Sequence, residues 1–125
     1  MSKDNLIVLA VDDDLINLKL LKAMLIKSGK VQEVIEARNG SDAIGQLKTR
    51  NDIDLILLDI IMPVMGGIEM LKVVRADDNL RQLPIIVLTT DETKKNDALE
   101  FGANGFLMKP IRNDDLMKKM ATVIV

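Results

Sequence analysis

The sequence predicts a doubly wound α/β domain, and two observations carry that expectation: three apolar runs without in/out alternation, and segments of helical period between them. "LIVLAV" at Leu6 to Val11, "LILLDI" at Leu55 to Ile60 and "PIIVLTT" at Pro84 to Thr90 are apolar at successive positions. A strand with one wet face alternates; a strand covered by helices on both faces does not, and such covering is the habit of parallel sheets. Two more polar candidates, "VQEVIEA" at Val31 to Ala37 and "GFLMKP" at Gly105 to Pro110, suit the sheet edges. Right-handed crossovers then place helices on both faces of a five-stranded parallel sheet.

The helices follow in order. Leu18, Leu21 and Leu25 mark one face of a helix that starts after Asp14 as N-cap and stops at Ser28-Gly29. Ala43, Ile44 and Leu47 mark a short second helix entered through "NGS" at Asn39 to Ser41. Ile68, Leu71 and Val74 mark a third, and Leu116, Met120 and Val123 a fifth. The fourth, around Thr93 to Phe101, has only a thin stripe of Ala98, Leu99 and Phe101 among polar residues. Thin burial means low local stability, so this helix is the expected moving element.

Composition narrows the chemistry. At 125 residues and 48% hydrophobic, the chain is one domain, expected to span 1–125, that can bury a core without staples. Lys and Arg number 17 against 19 Asp and Glu, a net charge of -2, which argues against a nucleic-acid footprint. There is no Cys and no His, so thiolate chemistry, imidazole ligands and imidazole bases are excluded. The amino-terminal apolar run is too short for a signal peptide, and no segment approaches membrane-spanning length. A cytoplasmic protein that uses carboxylates, hydroxyls and amines is the expectation.

In a parallel sheet of this kind ligands bind at the carboxyl ends of the strands. There the first strand ends in Asp12, Asp13 and Asp14, the third in Asp59, the fourth in Thr89 and Thr90, and the last in Lys109. Carboxylates a few ångströms apart repel by about 4 kcal/mol per pair at an effective dielectric near 20, so the cluster should hold a proton or a cation. Mg2+ takes one or two carboxylates and keeps its other positions for water and phosphate oxygens. Singly, each residue has an ordinary role: Asp14 as a helix cap, Thr89 as a strand-end hydroxyl, Lys109 as a surface amine before a turn. Together they suit phosphoryl transfer to a carboxylate nucleophile, with an ammonium and a hydroxyl to meet the phosphoryl charge.

The chain resembles the response regulator receiver domain of two-component signalling over essentially its whole length. The resemblance rests on "VDDD" at Val11 to Asp14, "DIIMPVMGG" at Asp59 to Gly67, "VLTT" at Val87 to Thr90 and "GANGFLMKP" at Gly102 to Pro110, in that order and spacing. It implies a flavodoxin-like sheet of order 2-1-3-4-5 and Asp59 as phosphoacceptor. It also implies Mg2+ or Mn2+ held by Asp13, Asp59 and the backbone carbonyl of Ile61, with Asp12 acting mostly through water. Thr89 and Lys109 would bond phosphoryl oxygens, a cis Lys109-Pro110 bond would follow, and Thr89 and Phe106 would switch the surface of the fourth helix, fifth strand and fifth helix. The implied partner is a histidine kinase or His-phosphotransfer protein, with no nucleic acid or membrane bound. The implied assembly is a monomer or a phosphorylation-dependent dimer, and the role that of a phosphoacceptor, not an enzyme.

Three residues depart from the pattern the resemblance implies. Thr90 stands where the family usually has a smaller Ala or Gly, which would narrow access to the phosphoryl site. Ile61 is apolar at a position that tunes dephosphorylation in the family, and Gly66 replaces the common polar residue at the start of the third helix. An Mg2+-dependent aspartyl-phosphate phosphatase of the haloacid dehalogenase type needs a second Asp two residues after the nucleophile, where Ile61 stands, and no P-loop is present. A phosphorylation-independent interaction module would have no use for an intact set of Asp13, Asp59, Thr89 and Lys109.

Overall fold

The structure, a computed structural model, describes residues 5–62 and 64–124. Five strands alternate with helices: β1 (Leu6–Val11), α1 (Leu15–Lys27), β2 (Val31–Ala37), α2 (Gly40–Thr49), β3 (Leu55–Asp59), α3 (Gly67–Ala76), β4 (Ile85–Thr89), α4 (Lys95–Glu100), β5 (Gly105–Met108) and α5 (Asn113–Val123). All pairings are parallel and the sheet order is β2-β1-β3-β4-β5. This is the doubly wound, flavodoxin-like architecture.

The missing alternation in the three central strands has a direct cause. In β3, Leu55 and Leu57 face the layer of α1 and α5, while Ile56 and Leu58 face the layer of α2, α3 and α4. β1 and β4 divide the same way, Val8 and Ile86 to one side and Leu9 and Ile85 to the other. Each fully buried Leu or Ile is worth about 1.5–3 kcal/mol over exposure, so both faces drive folding. The two edges are β2 and β5, as expected; β2 carries Gln32, Glu33 and Glu36, whereas β5 itself is apolar and the polar residue expected of it, Lys109, lies just past its end.

Helix boundaries follow from caps. Asp14 accepts from the N–H groups of Ile16 and Asn17 at the start of α1, and Gly29, at φ +78, turns the chain away after it. Asn39 caps α2 by accepting from Asp42 N–H at 2.8 Å. Gly66 precedes α3 with no side-chain cap, as expected.

Three details differ from the sequence reading. The buried face of α3 is Gly67, Met70, Leu71 and Val74, with Ile68 only half-buried, so the stripe sits a fraction of a turn from the one expected. The fourth segment splits into a 3-10 turn at Glu92–Lys94 and the six-residue α4, with Ala98 buried and Leu99 42% exposed. So short a helix turns few residues inward. Strand β5 stops at Met108, because Pro110 has no N–H for the ladder; the Lys109-Pro110 bond is cis. Among the described residues no helix is long and apolar enough to cross a membrane.

Candidate functional site

The sheet delivers the expected residues to one rim. Asp12 follows β1, Asp59 ends β3, Thr89 ends β4 and Lys109 follows β5. Asp12, Asp13 and Asp59 each offer an oxygen within 4.8 Å of the others; Asp12 and Asp59 are buried and Asp13 is exposed. Lys109 Nζ donates to Asp12 Oδ2 at 2.8 Å and lies 3.5 Å from Asp59 Oδ1. Asp12 Oδ1 accepts from Asp14 N–H at 2.9 Å, which fixes its rotamer. Asp14 itself is spent on capping α1, and so leaves the pocket to the other three.

Charge in this pocket is unbalanced: among the described residues, three carboxylates face one ammonium. Burial pushes the Asp59 carboxyl above the usual carboxylate range; Lys109 opposes that, and the charges of Asp12 and Asp13 add to it. For Lys109, burial disfavours the cation, but the bond to Asp12 and the charges of Asp59 and Asp12 outweigh it and hold the amine above its ordinary value. The donor set is all oxygen, converges on one point and carries surplus negative charge, so it fits a hard divalent cation such as Mg2+.

Thr89 is 1% exposed, and its Oγ1 accepts from Asp91 N–H at 3.2 Å, which leaves its own O–H free to donate. Phe106 is half-buried on β5 against the α2–α3–α4 layer. Thr90 and the side chain of Ile61 are exposed at the rim.

Between β3 and α3 the backbone turns tightly. Gly67 N–H donates to Ile60 O at 2.8 Å, and a Cβ on Gly67 would sit 2.5 Å from Asp59 O, so only glycine permits the approach. Val64 has φ +69, a left-handed conformation that costs a β-branched residue about 1–2 kcal/mol. Neighbouring contacts must hold it there.

The family model for the response regulator receiver domain matches residues 8–121. The chain belongs to that family. As a receiver domain it is similar to chemotaxis protein CheY1 of Helicobacter pylori (strain J99), 33% identical over 119 residues that span 94% of this chain and 95% of that one. Its structure is similar to that of the chemotaxis response regulator CheY4 of Vibrio cholerae, with TM-score 0.85, 34% identity, and 94% of this chain and 98% of that chain covered. It is also similar to the receiver domain of a sensor histidine kinase from Pseudomonas aeruginosa PAO1, whose structure has a magnesium ion coordinated in the active-site cleft. There the TM-score is 0.85 and the identity 28%, with 96% of this chain and 98% of that chain covered.

One feature of the receiver's rim was not anticipated from sequence. Asp12 and Lys109 share a groove of about 260 Å3 with Leu20, Met24, Pro110 and Ile111. On the outer face of α1, Leu15, Ile16 and Leu20 are exposed, at 47%, 69% and 62%. The signal was present in "LINLKLLKAMLIK", which is apolar on more than the one stripe needed for the core.

Proposed function

We propose that this receiver takes a phosphoryl group onto Asp59 from the phosphohistidine of a partner histidine kinase or phosphotransfer protein. The observation that carries this reading is the burial of Asp59 in a pocket where three carboxylates share one cation, Lys109. Asp13 and Asp59, the Ile61 carbonyl, and Asp12 through water would hold Mg2+ or Mn2+, which when bound offsets charge on the carboxylates and on the incoming phosphoryl oxygens. An Asp59 carboxylate oxygen attacks phosphorus; the O–P bond forms, the donor's P–N bond breaks, and the imidazole leaves with the electron pair. Lys109 and Thr89 then bond phosphoryl oxygens, the first by charge and the second by its free O–H.

Drawing Thr89 toward the phosphoryl group opens room beneath β4 for Phe106 to turn inward, which reshapes the α4–β5–α5 face for a downstream partner. The thin burial of α4 and the half-buried position of Phe106 support this part of the reading. The apolar Leu20 beside Asp12 and Lys109 is a surface that a donor protein approaching Asp59 would meet. Residues 1–125 act as one cytoplasmic receiver domain, a signalling phosphoacceptor with slow self-phosphorylation and self-dephosphorylation, monomeric or dimerising when phosphorylated.

Intact-mass measurement after incubation with acetyl phosphate tests the transfer. The expected result is a gain of one phosphoryl group in the wild type with Mg2+ and none in Asp59→Ala. A gain that survives Asp59→Ala, or that ignores Mg2+, overturns the reading. Fluorine-labelled Phe gives two resonances, since the chain has only 2 Phe, and that of Phe106 should shift when beryllofluoride is added with Mg2+. An unchanged resonance leaves Phe106 as core packing.

A further inference from the structure

We propose that Gly40, the first residue of α2, is a positioning residue for the acidic pocket: by seating Met65 it sets the path of the β3–α3 loop that carries Ile61. This deepens the phosphoacceptor reading and rests on it. Three observations converge on the joint. First, Asn39 caps α2 through Asp42 N–H, and the Gly40 N–H, one of the helix's unpaired amino-terminal donors, reaches out instead to Met65 O at 3.0 Å. Second, a Cβ on Gly40 would lie 2.7 Å from Met65 Cγ, 2.9 Å from Met65 Cβ and 2.9 Å from Met65 O. The last of these is backbone, so no side-chain rotation relieves it; the loop itself must move.

Third, Val64, adjacent to Met65, holds its left-handed φ of +69 with a side chain that is 83% exposed. A side chain in solvent cannot enforce a strained backbone, so the neighbours must do so. The neighbours that do are the Gly40 to Met65 bond on one side and the Gly67 to Ile60 bond across the loop. Among the described residues between β3 and α3, Ile60 is therefore pinned by Gly67 and Met65 by α2. Residues that orient a ligand group without touching the metal commonly change affinity 10–100-fold when lost.

The same helix supplies a matched control. Gly45 is also in α2, but a Cβ there meets nothing within 4 Å, so Gly45→Ala makes the same substitution without the collision. Mg2+ binding is measured by calorimetry on wild type, Gly40→Ala, Gly45→Ala and Met65→Ala, alongside amide spectra of the metal-free proteins. Gly40→Ala is expected to weaken Mg2+ about tenfold. It should also shift the amides of Ile60, Ile61 and Met62 before any metal is added. Gly45→Ala should keep wild-type affinity and leave those amides in place. Met65→Ala, which removes the seated side chain without adding an atom, should weaken Mg2+ in the same direction and keeps the test alive if Gly40→Ala fails to fold. A wild type that takes no Mg2+ overturns the functional reading and the joint with it. A wild type that binds, with Gly40→Ala or Met65→Ala binding as tightly as Gly45→Ala, overturns the joint alone.

Discussion

Near the amino ends of the strands, Arg50 grips Glu33 with two bonds of 2.8 and 3.0 Å and Asp52 with two more of 2.9 and 2.8 Å. At the carboxyl ends, one ammonium faces Asp12, Asp13 and Asp59. In the first cluster the guanidinium fork matches its carboxylates in geometry, and all three groups stay partly in water. The Arg50 bonds hold the Glu33 and Asp52 carboxyls below their usual range, and those carboxylates raise Arg50. In the second, burial moves Asp59 the opposite way. Both clusters are acidic groups around a cation at the end of a strand, yet one is satisfied by the protein and the other is not. Unsatisfied buried charge is what separates a binding site from a fastening.

The largest effect should come from Lys109→Ala. It removes the ammonium from the cluster at the carboxyl ends of the strands and leaves Asp12 buried without its 2.8 Å partner, a loss of about 2 kcal/mol in metal-free protein. Thermal melting without Mg2+ checks it, and adding Mg2+ should restore much of the difference. No loss would mean that the cluster is wetter than the geometry implies.

Asp59→Asn should do the reverse. Because the folded pKa of Asp59 is raised, the native state binds more protons than the unfolded state between the two values, and stability falls as pH rises through that window. Above it the cost stays, and Asn removes it. At pH 7 without Mg2+ the variant should melt higher than the wild type, each kcal/mol of relief showing as roughly 3–5 °C in a chain of this size. Near pH 3 the two proteins should converge.

Arg50→Met should do least. Its partners are exposed, and pairs of that kind contribute little. The folded pKa values of Glu33 and Asp52 are lowered, so what the pair contributes is present above the usual carboxylate range and lost as pH falls through those lowered values. The melting temperature at pH 7 should drop slightly, and the difference should vanish in strong acid.

Much of the fold and the site could be read from residues alone because the signals were local. Continuous apolar runs gave β1, β3 and β4, and the strand-end carboxylates followed from where those runs stopped. Asp14 could be set aside as a cap because its chemistry reaches only two or three residues. What escaped was non-local. No periodicity tells that Gly40 N–H will meet Met65 O across 25 positions. Nor does any propensity place Val64 in a left-handed turn, since β-branched residues avoid it. The length of α4 was overestimated because its apolar stripe was inferred from spacing, whereas within the helix only Ala98 is buried and Phe101, just past its end, is half-buried against the core.

The most direct test of the contrast between the clusters is the melting temperature of wild type and Asp59→Asn at pH 7, each with and without Mg2+. Without the cation the Asn variant should be the more stable. With it the order should reverse, because a ligand bound only by the native state stabilises in proportion to ln(1 + [L]/Kd) and the variant has lost a ligand group. A wild type already more stable without Mg2+, or an equal gain for both proteins when Mg2+ is added, would contradict the claim that Asp59 sits in a pocket awaiting a cation.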